Sequence, residues 1–315
     1  MLLTPAEKPT MYFIGVTTGQ SSIMKVFPAW MEALGLDSAI KGVDIGLHAP
    51  PETYRQVVEF IKGDPLSLGA LVTTHKIDLY NAAHDLFDRL DPYAASFGEL
   101  SCISKEGGKL WGHAKDPVTC GMALEEFLPP NYWRDHPKAG VMIMGAGGSC
   151  ISMCAYFMRP EFAGNYPAKL VVANRSEPRL KELQAINERL NPAAIPCEYH
   201  LTPLPGQNDA VLAAMAEGSL IINATGLGKD RPGSPLGDGA PFPRDAIVWE
   251  INYRGDLAFL RQAKAQARAK RLKVQDGWMY FIFGWTQVMA EVYHRPIEGE
   301  TLAELSNIAA AFNGR

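Results

Sequence analysis

Apolar runs of strand length alternate along this chain with stretches whose apolar residues recur at helical spacing. MYFIGVT, over 11–17, reads as a buried strand, and Phe27, Trp30, Met31 and Leu34 mark one face of a helix over 23–36, with Pro28 confining the helix start to its own neighbourhood. The cycle repeats as a strand over 42–47, a proline-started helix over 51–62, a strand over 68–74 and a helix over 77–88. Such alternation predicts βαβ units and a mainly parallel sheet. From 99 to 115 the period changes to two short strands about Glu106-Gly107-Gly108-Lys109, a hairpin, and Pro117 opens a helix to about 128. A polar, proline-rich loop over 129–138 precedes a second alternating region. Its strands fall near 141–144, 169–173, 197–201, 220–224, 247–251 and 272–275, and its helices at 151–158, 178–190, 210–217 and 256–270. Two more helices, over 278–293 and 301–312, close the chain.

The strand Val141-Met142-Ile143-Met144 stops at Gly145-Ala146-Gly147-Gly148-Ser149 and a helix-compatible segment follows at once. That order suits a dinucleotide-binding turn. Gly145 lets the chain leave the strand sharply, Gly147 removes the side chain that would block a pyrophosphate, and the helix N-terminus offers free N–H groups. Cys150 stands where the third fingerprint glycine would be, so a plain tight turn also fits. Two mononucleotide-binding halves in succession agree with a Rossmann domain, giving an α/β fold in which an N-terminal α/β domain precedes the dinucleotide-binding one.

Composition narrows the class further. With 315 residues, 47% of them hydrophobic and 20% charged, the chain is long enough for two packed domains. A net charge of −4 without any run of five like charges favours a small-molecule partner over nucleic acid or an anionic membrane. No apolar stretch reaches a membrane span and residues 1–10 show no signal-peptide pattern, so a cytoplasmic location is expected. Monomer and homodimer both remain open. Five cysteines, of which only Cys150 and Cys154 are close in sequence, read as free thiols, and no metal site is expected.

Lys76 follows the strand-end sequence Leu71-Val72-Thr73-Thr74-His75. Ligands of open α/β sheets collect at the carboxyl ends of strands, where a partly desolvated lysine can serve as acid or base; a solvated lysine opening a helix is the other reading. Asp116 could orient that lysine and hold a substrate hydroxyl, and, directly before Pro117, it also suits a helix cap. After the second Rossmann strand, Asn174-Arg175-Ser176 with Arg179 favours the 2′-phosphate of NADP over NAD, although an exposed turn capped by Ser176 would look the same.

Seven stretches taken in order resemble the shikimate dehydrogenase family over nearly the whole chain. They are Gly19-Gln20-Ser21-Ser22 with Ala33-Leu34-Gly35-Leu36; Leu71-Val72-Thr73-Thr74-His75-Lys76; Gly112-His113-Ala114-Lys115-Asp116; Gly145-Ala146-Gly147-Gly148-Ser149; Asn174-Arg175-Ser176; Ile222-Asn223-Ala224-Thr225-Gly226-Leu227-Gly228; and Asp276-Gly277-Trp278-Met279. The resemblance implies a substrate domain over 1–115 completed by helices from about 278–315, and a Rossmann NADP domain over 116–277. It also implies that Lys76 and Asp116 serve proton transfer and substrate binding. Ser21, Ser22, Thr74 and Ser101 then fall at substrate positions. Asn223, Ala224, Thr225, Gly226 and Gly277 fall with the glycine turn on the cofactor side.

Departures from the family pattern concentrate at the substrate. The Ser-x-Ser pair becomes Ser21-Ser22-Ile23, the substrate asparagine falls at Ser101, the Asn-Thr before the aspartate becomes Ala114-Lys115, and the glutamine of the C-terminal helix falls on Phe283. Lost hydrogen-bonding groups change selectivity by orders of magnitude, so the expected substrate is a small cyclic, anionic relative of shikimate or quinate, with Lys115 meeting an anion and Phe283 forming an apolar wall. Plain packing of Phe283 and a solvent-facing Lys115 fit the residues as well. Two other functions suit the same chain: a nucleotide-binding sensor that has lost turnover, and a folate-type methylene dehydrogenase.

Overall fold

A computed structural model describes residues 3–204, 206–229 and 231–312. The chain divides into two units, Met1–Asp116 with Gly284–Arg315, and Pro117–Phe283. In the first, the chain runs β1 (Thr10–Gly15), α1 (Ile23–Leu34), β2 (Ala39–Asp44), α2 (Pro51–Gly63), β3 (Ser67–Val72), α3 (Lys76–Ala83), β4 (Arg89–Leu90), α4 (Pro92–Phe97), β5 (Cys102–Glu106) and β6 (Lys109–His113). Helix α5 (Asp116–Glu125) carries it into the second unit.

Strand β1 is buried along its whole length because its six residues face packed layers on both sides of the sheet. The order is β2-β1-β3-β5-β6-β4, with β1 parallel to β2 and β3, β6 parallel to β4, and β5 antiparallel to both of its neighbours. A core of Tyr12, Ile14, Val43, Tyr54, Val58, Ile61, Val72, Leu79 and Leu100 packs on one face.

Three local expectations are corrected by tertiary packing. Helix α1 begins at Ile23 and runs through Pro28, because Ile23, Val26, Phe27, Trp30, Met31 and Leu34 together bury an apolar face that offsets the missing hydrogen bond of the proline. Strand β2 starts three residues before the expected 42, since its register is set by pairing Thr10 with Ala39 and Gly15 with Asp44; Leu47, which drew the expected strand onward, is exposed. The segment before the hairpin, left without an element, folds as β4 and α4. There Asp91 caps α4, its Oδ1 accepting the Ala94 N–H at 2.6 Å, and Pro92 takes the first helical position.

The second unit continues with α6 (Tyr132–Asp135), β7 (Val141–Met144), α7 (Gly148–Phe157), β8 (Leu170–Asn174), α8 (Glu177–Leu190), β9 (Cys197–Leu201), α9 (Gln207–Ala213), β10 (Leu220–Asn223), β11 (Ile247–Glu250), α10 (Ala258–Lys270) and β12 (Lys273–Gln275). Helix α11 (Trp278–Val292) returns to the first unit, where α12 (Gly299–Ala310) lies; Trp30 Nε1 donates to the Leu305 carbonyl of α12 at 2.7 Å. The second sheet is parallel throughout, in the order β12-β11-β10-β7-β8-β9. This is the doubly wound order with its reversal between β7 and β10, and open α/β sheets take ligands at such a reversal. Strands β7, β10 and β11 are buried at every position, as parallel strands covered on both faces must be. The five cysteines are free thiols, four of them buried. Among the described residues no helix is long and apolar enough to cross a membrane.

One glycine is required by the first sheet. Gly69 sits in β3 at φ +137°, and a Cβ there would lie 2.1 Å from the Ile103 carbonyl oxygen of β5. Gly69→Ala is therefore expected to destabilise the protein by at least about 2 kcal/mol, read as a lower urea midpoint at unchanged slope.

Candidate catalytic pair and dinucleotide turn

Strand β3 ends in a tight reversal. Thr74 takes φ +53°, a strained setting for a β-branched residue, and the His75 N–H donates to the Thr73 carbonyl across it. Three contacts hold the turn in place. The Thr73 N–H donates to the Ile14 carbonyl at 2.9 Å, and the buried His75 ring lies 2.8 Å from the Ile45 carbonyl through Nε2 and 3.2 Å from the Tyr54 hydroxyl through Nδ1. A carbonyl only accepts, so Nε2 carries a proton. His75 is thereby a structural anchor, and the next residue, Lys76, is delivered to the first position of α3.

Lys76 forms an ion pair with Asp116, the first residue of α5. Forty positions separate them in the chain, yet both side chains are largely withdrawn from water, at 18% and 12% exposure. Asp116 lies in the first turn of its helix, where the dipole favours an anion. A carboxylate against a half-buried ammonium fixes the position of the nitrogen and leaves a group able to give or take a proton. Sequence reasoning missed a third ionisable group here: Glu99, fully buried, between the left-handed cap Gly98 of α4 and the Leu100 N–H that donates to the Lys76 carbonyl at 3.1 Å. The available signal was a carboxylate between a helix cap and an apolar strand.

The residues expected at the substrate are placed differently from one another. Ser21 and Ser22 are half-buried just before α1, and Thr74 is exposed on its turn. Ser101 is 2% exposed and its hydroxyl serves the main chain, donating toward the His113 carbonyl at 3.4 Å and accepting the Lys115 N–H at 2.7 Å. It ties β5 to β6 instead of presenting a free hydroxyl. Lys115 spends its charge on Glu291 at 2.5 Å, with His113 between Glu291 and Asp91 at 4.0 and 3.8 Å. Burial raises the Glu291 carboxyl, but the hydrogen bond and charge of Lys115 more than offset this and hold it below its ordinary value; burial depresses His113. The open cation expected at Lys115 is thus one half of an ion pair. Phe283, at 2% exposure, is buried on α11.

In the second unit, Gly145 leaves β7 at φ +109°, where a Cβ would lie 2.5 Å from the Ala224 carbonyl oxygen. Ala146 is buried beneath the turn, Gly147 is exposed with open space where its side chain would be, and Gly148 and Ser149 begin α7. The first turn of α7 holds no acidic residue, and its leading amides have no partner within the helix. Such a turn can receive a pyrophosphate. At the end of β8, Asn174 Nδ2 donates to the Ser176 carbonyl at 3.3 Å, Arg175 is exposed, and Arg179 is exposed and paired with Glu182. Ser176 makes no side-chain cap for α8.

The loop after β10 is shaped by a buried network. Asn223 Oδ1 accepts from the Thr225 N–H and hydroxyl at 3.1 and 2.7 Å, and its Nδ2 donates to Glu250 at 2.7 Å and toward the Leu227 carbonyl at 3.3 Å. Asn252 donates to the other Glu250 oxygen from its backbone at 2.9 Å and from its side chain at 2.6 Å. Burial pushes the Glu250 carboxyl up to about 7 despite these donors. Asn223 therefore acts on the loop, leaving half-buried Ala224, Thr225 and Gly226 as its accessible part. Gly277 is needed where a Cβ would fall 1.9 Å from the Ile251 carbonyl oxygen.

These features define an α/β protein of two units, one a Rossmann-type doubly wound sheet with a glycine turn, the other holding a lysine–aspartate pair. No protein-family model matches the chain. It is 29% identical over 231 residues to the NADP(+) shikimate dehydrogenase of Symbiobacterium thermophilum, covering 70% of this chain and 71% of that one. The crystal structure of shikimate dehydrogenase from Aquifex aeolicus matches with a TM-score of 0.71 at 18% identity, over 99% of this chain and 100% of the other. Quinate dehydrogenase from Corynebacterium glutamicum, solved with NAD, also gives 0.71 at 18% identity, over 96% and 99%. The chain is thus similar in sequence to shikimate dehydrogenases and shares the fold of shikimate and quinate dehydrogenases.

The Glu250 network makes a pH-dependent prediction. Because the folded carboxyl sits above its unfolded value of about 4.5, its contribution to stability declines as pH rises from there to about 7. Asn223→Ala removes a donor to the ionised form and should cost about 2–3 kcal/mol at pH ~8 and less at pH ~5, as measured by urea unfolding at both values.

Proposed function

We propose that this protein is an NADP-dependent oxidoreductase that interconverts a secondary alcohol and a ketone on a small cyclic, anionic substrate. The observation that carries the reading is the Lys76–Asp116 ion pair at the head of two helices, in a chain whose other unit holds a phosphate-ready glycine turn. The Symbiobacterium relative is named for NADP, which supports the cofactor. Gly145, Gly147, Gly148 and Ser149 would hold the pyrophosphate, Asn174, Arg175, Ser176 and Arg179 the ribose phosphate, and Ala224, Thr225 and Gly226 the nicotinamide end. Bound NADP supplies the hydride acceptor and NADPH the donor.

The residues of this chain do the rest. Lys76 gives its proton to the carbonyl oxygen in reduction and recovers one from the hydroxyl in oxidation. Asp116 keeps the nitrogen in place and accepts a hydrogen bond from the substrate hydroxyl. Ser21, Ser22 and Thr74 supply further polar contacts from the same unit. Lys115 contributes to anion recognition only as part of its pair with Glu291, whose carboxylate tempers its charge.

Two measurements test the reading. On a panel of cyclic hydroxy acids and polyols, Lys76→Ala is expected to lower kcat by about 10²- to 10⁴-fold while leaving NADPH affinity unchanged. NADPH should bind more tightly than NADH, and Arg175→Ala should weaken NADPH alone by about 10- to 100-fold in calorimetry. Tighter NADH binding would overturn the cofactor assignment, and NADPH binding without turnover would favour a sensor.

A further inference from the structure

Glu99 is completely buried, and neither oxygen of its carboxyl has a hydrogen-bond partner. An ionisable group in that condition is costly, and most proteins place an apolar residue there or supply donors. Its position follows from main-chain geometry. Gly98 ends α4 in the left-handed conformation, Glu99 follows, the Leu100 N–H donates to the Lys76 carbonyl at 3.1 Å, and the Ser101 N–H donates to the His113 carbonyl at 2.9 Å. The segment is thereby clamped between the start of α3 and the end of β6, the two places from which Lys76 and Asp116 come. Three charged groups act on Glu99: Asp116 at the head of α5, Lys76 at the head of α3, and Asp91 at the cap of α4.

We propose that Glu99 is a positioning residue for Lys76, a carboxyl whose ionisation adds one negative charge beside the Lys76–Asp116 pair and holds the proton on the lysine. The idea rests on Lys76 being the acid and base of the proposed reaction. Burial raises the Glu99 carboxyl to about 8, Asp116 and Asp91 add to the rise, and Lys76 opposes it. Near neutrality Glu99 is therefore a neutral acid beside the Lys76–Asp116 ion pair. As pH climbs, Glu99 loses its proton and the pair gains a second anion. An ammonium beside two anions gives up its proton less readily than beside one. The device prolongs the proton-donating form of Lys76, which ketone reduction requires, and delays the proton-accepting form, which alcohol oxidation requires.

The test uses the full-length protein and two substitutions. Glu99→Gln removes the charge at constant shape, and Glu99→Leu removes it with a side chain suited to burial, so either variant reads the effect if the other folds poorly. The Lys76 side-chain resonance, assigned by its loss in Lys76→Arg, is followed by NMR from about pH 6 to about 11. Its midpoint is expected to fall by about one pH unit in both variants, and the alkaline limb of ketone reduction by the same amount, with KM little changed. Glu99→Asp, which keeps an ionisable group, should restore part of the shift. An unmoved Lys76 midpoint overturns the proposal, including the case where only the urea midpoint changes, as a purely structural Glu99 would give. A moved midpoint with no turnover on any alcohol or ketone supports the role of Glu99 while sinking the oxidoreductase reading, so the two failures are separable.

Discussion

A half-buried ammonium and carboxylate held against each other are expensive to assemble, because each gives up hydration that their attraction only partly returns. Around Lys76 and Asp116 much of the first unit is arranged to meet that cost. The sheet puts the carboxyl ends of β3 and β6 on one edge with β5 between them, the turn at Thr74 accepts a left-handed backbone at a β-branched residue, and His75 is bolted to Ile45 and Tyr54. Strain at one residue persists only where its neighbours over-determine it. Here those neighbours are main-chain bonds from Ile14, Thr73 and Leu100, so the position of the lysine nitrogen is a consequence of sheet register.

The second unit solves a different problem with the same economy. A dinucleotide needs backbone amides pointing outward and no side chains in the way, and Gly145 and Gly147 meet that need by close approach in one case and open space in the other. The loop after β10 must keep its shape without regular structure. A buried carboxyl at Glu250, gripped by Asn223 and Asn252, supplies the rigidity that a β-ladder would otherwise give.

Charge and main-chain partnerships account for two of the positions at which this chain departs from the shikimate dehydrogenase pattern. Lys115 replaces a polar residue of the family pattern, and its charge is matched by Glu291, 176 positions further on. Ser101 replaces another and is absorbed by the main chain. Asp91, Glu99 and Asp116 all belong to the first unit, and the charges of Asp116, Lys76 and Asp91 act on the buried Glu99 carboxyl.

Much of this was written locally in the chain. Apolar runs covered on both faces, the glycines between Met144 and Ser149, and the hairpin at Gly107-Gly108 are determined by neighbours in sequence, and periodicity exposes them. Features set by partners far away were not legible. Pro28 stays inside α1 because the buried face of that helix outweighs one lost hydrogen bond, and β2 begins at Ala39 because β1 dictates the register. Glu99 looks like an ordinary solvated acid until the fold closes over it, and Lys115 looks like an open cation until Glu291 arrives. Sequence alone determined which residues are chemically capable; burial and long-range pairing, which depend on the whole sheet, decided which of them carry an available charge.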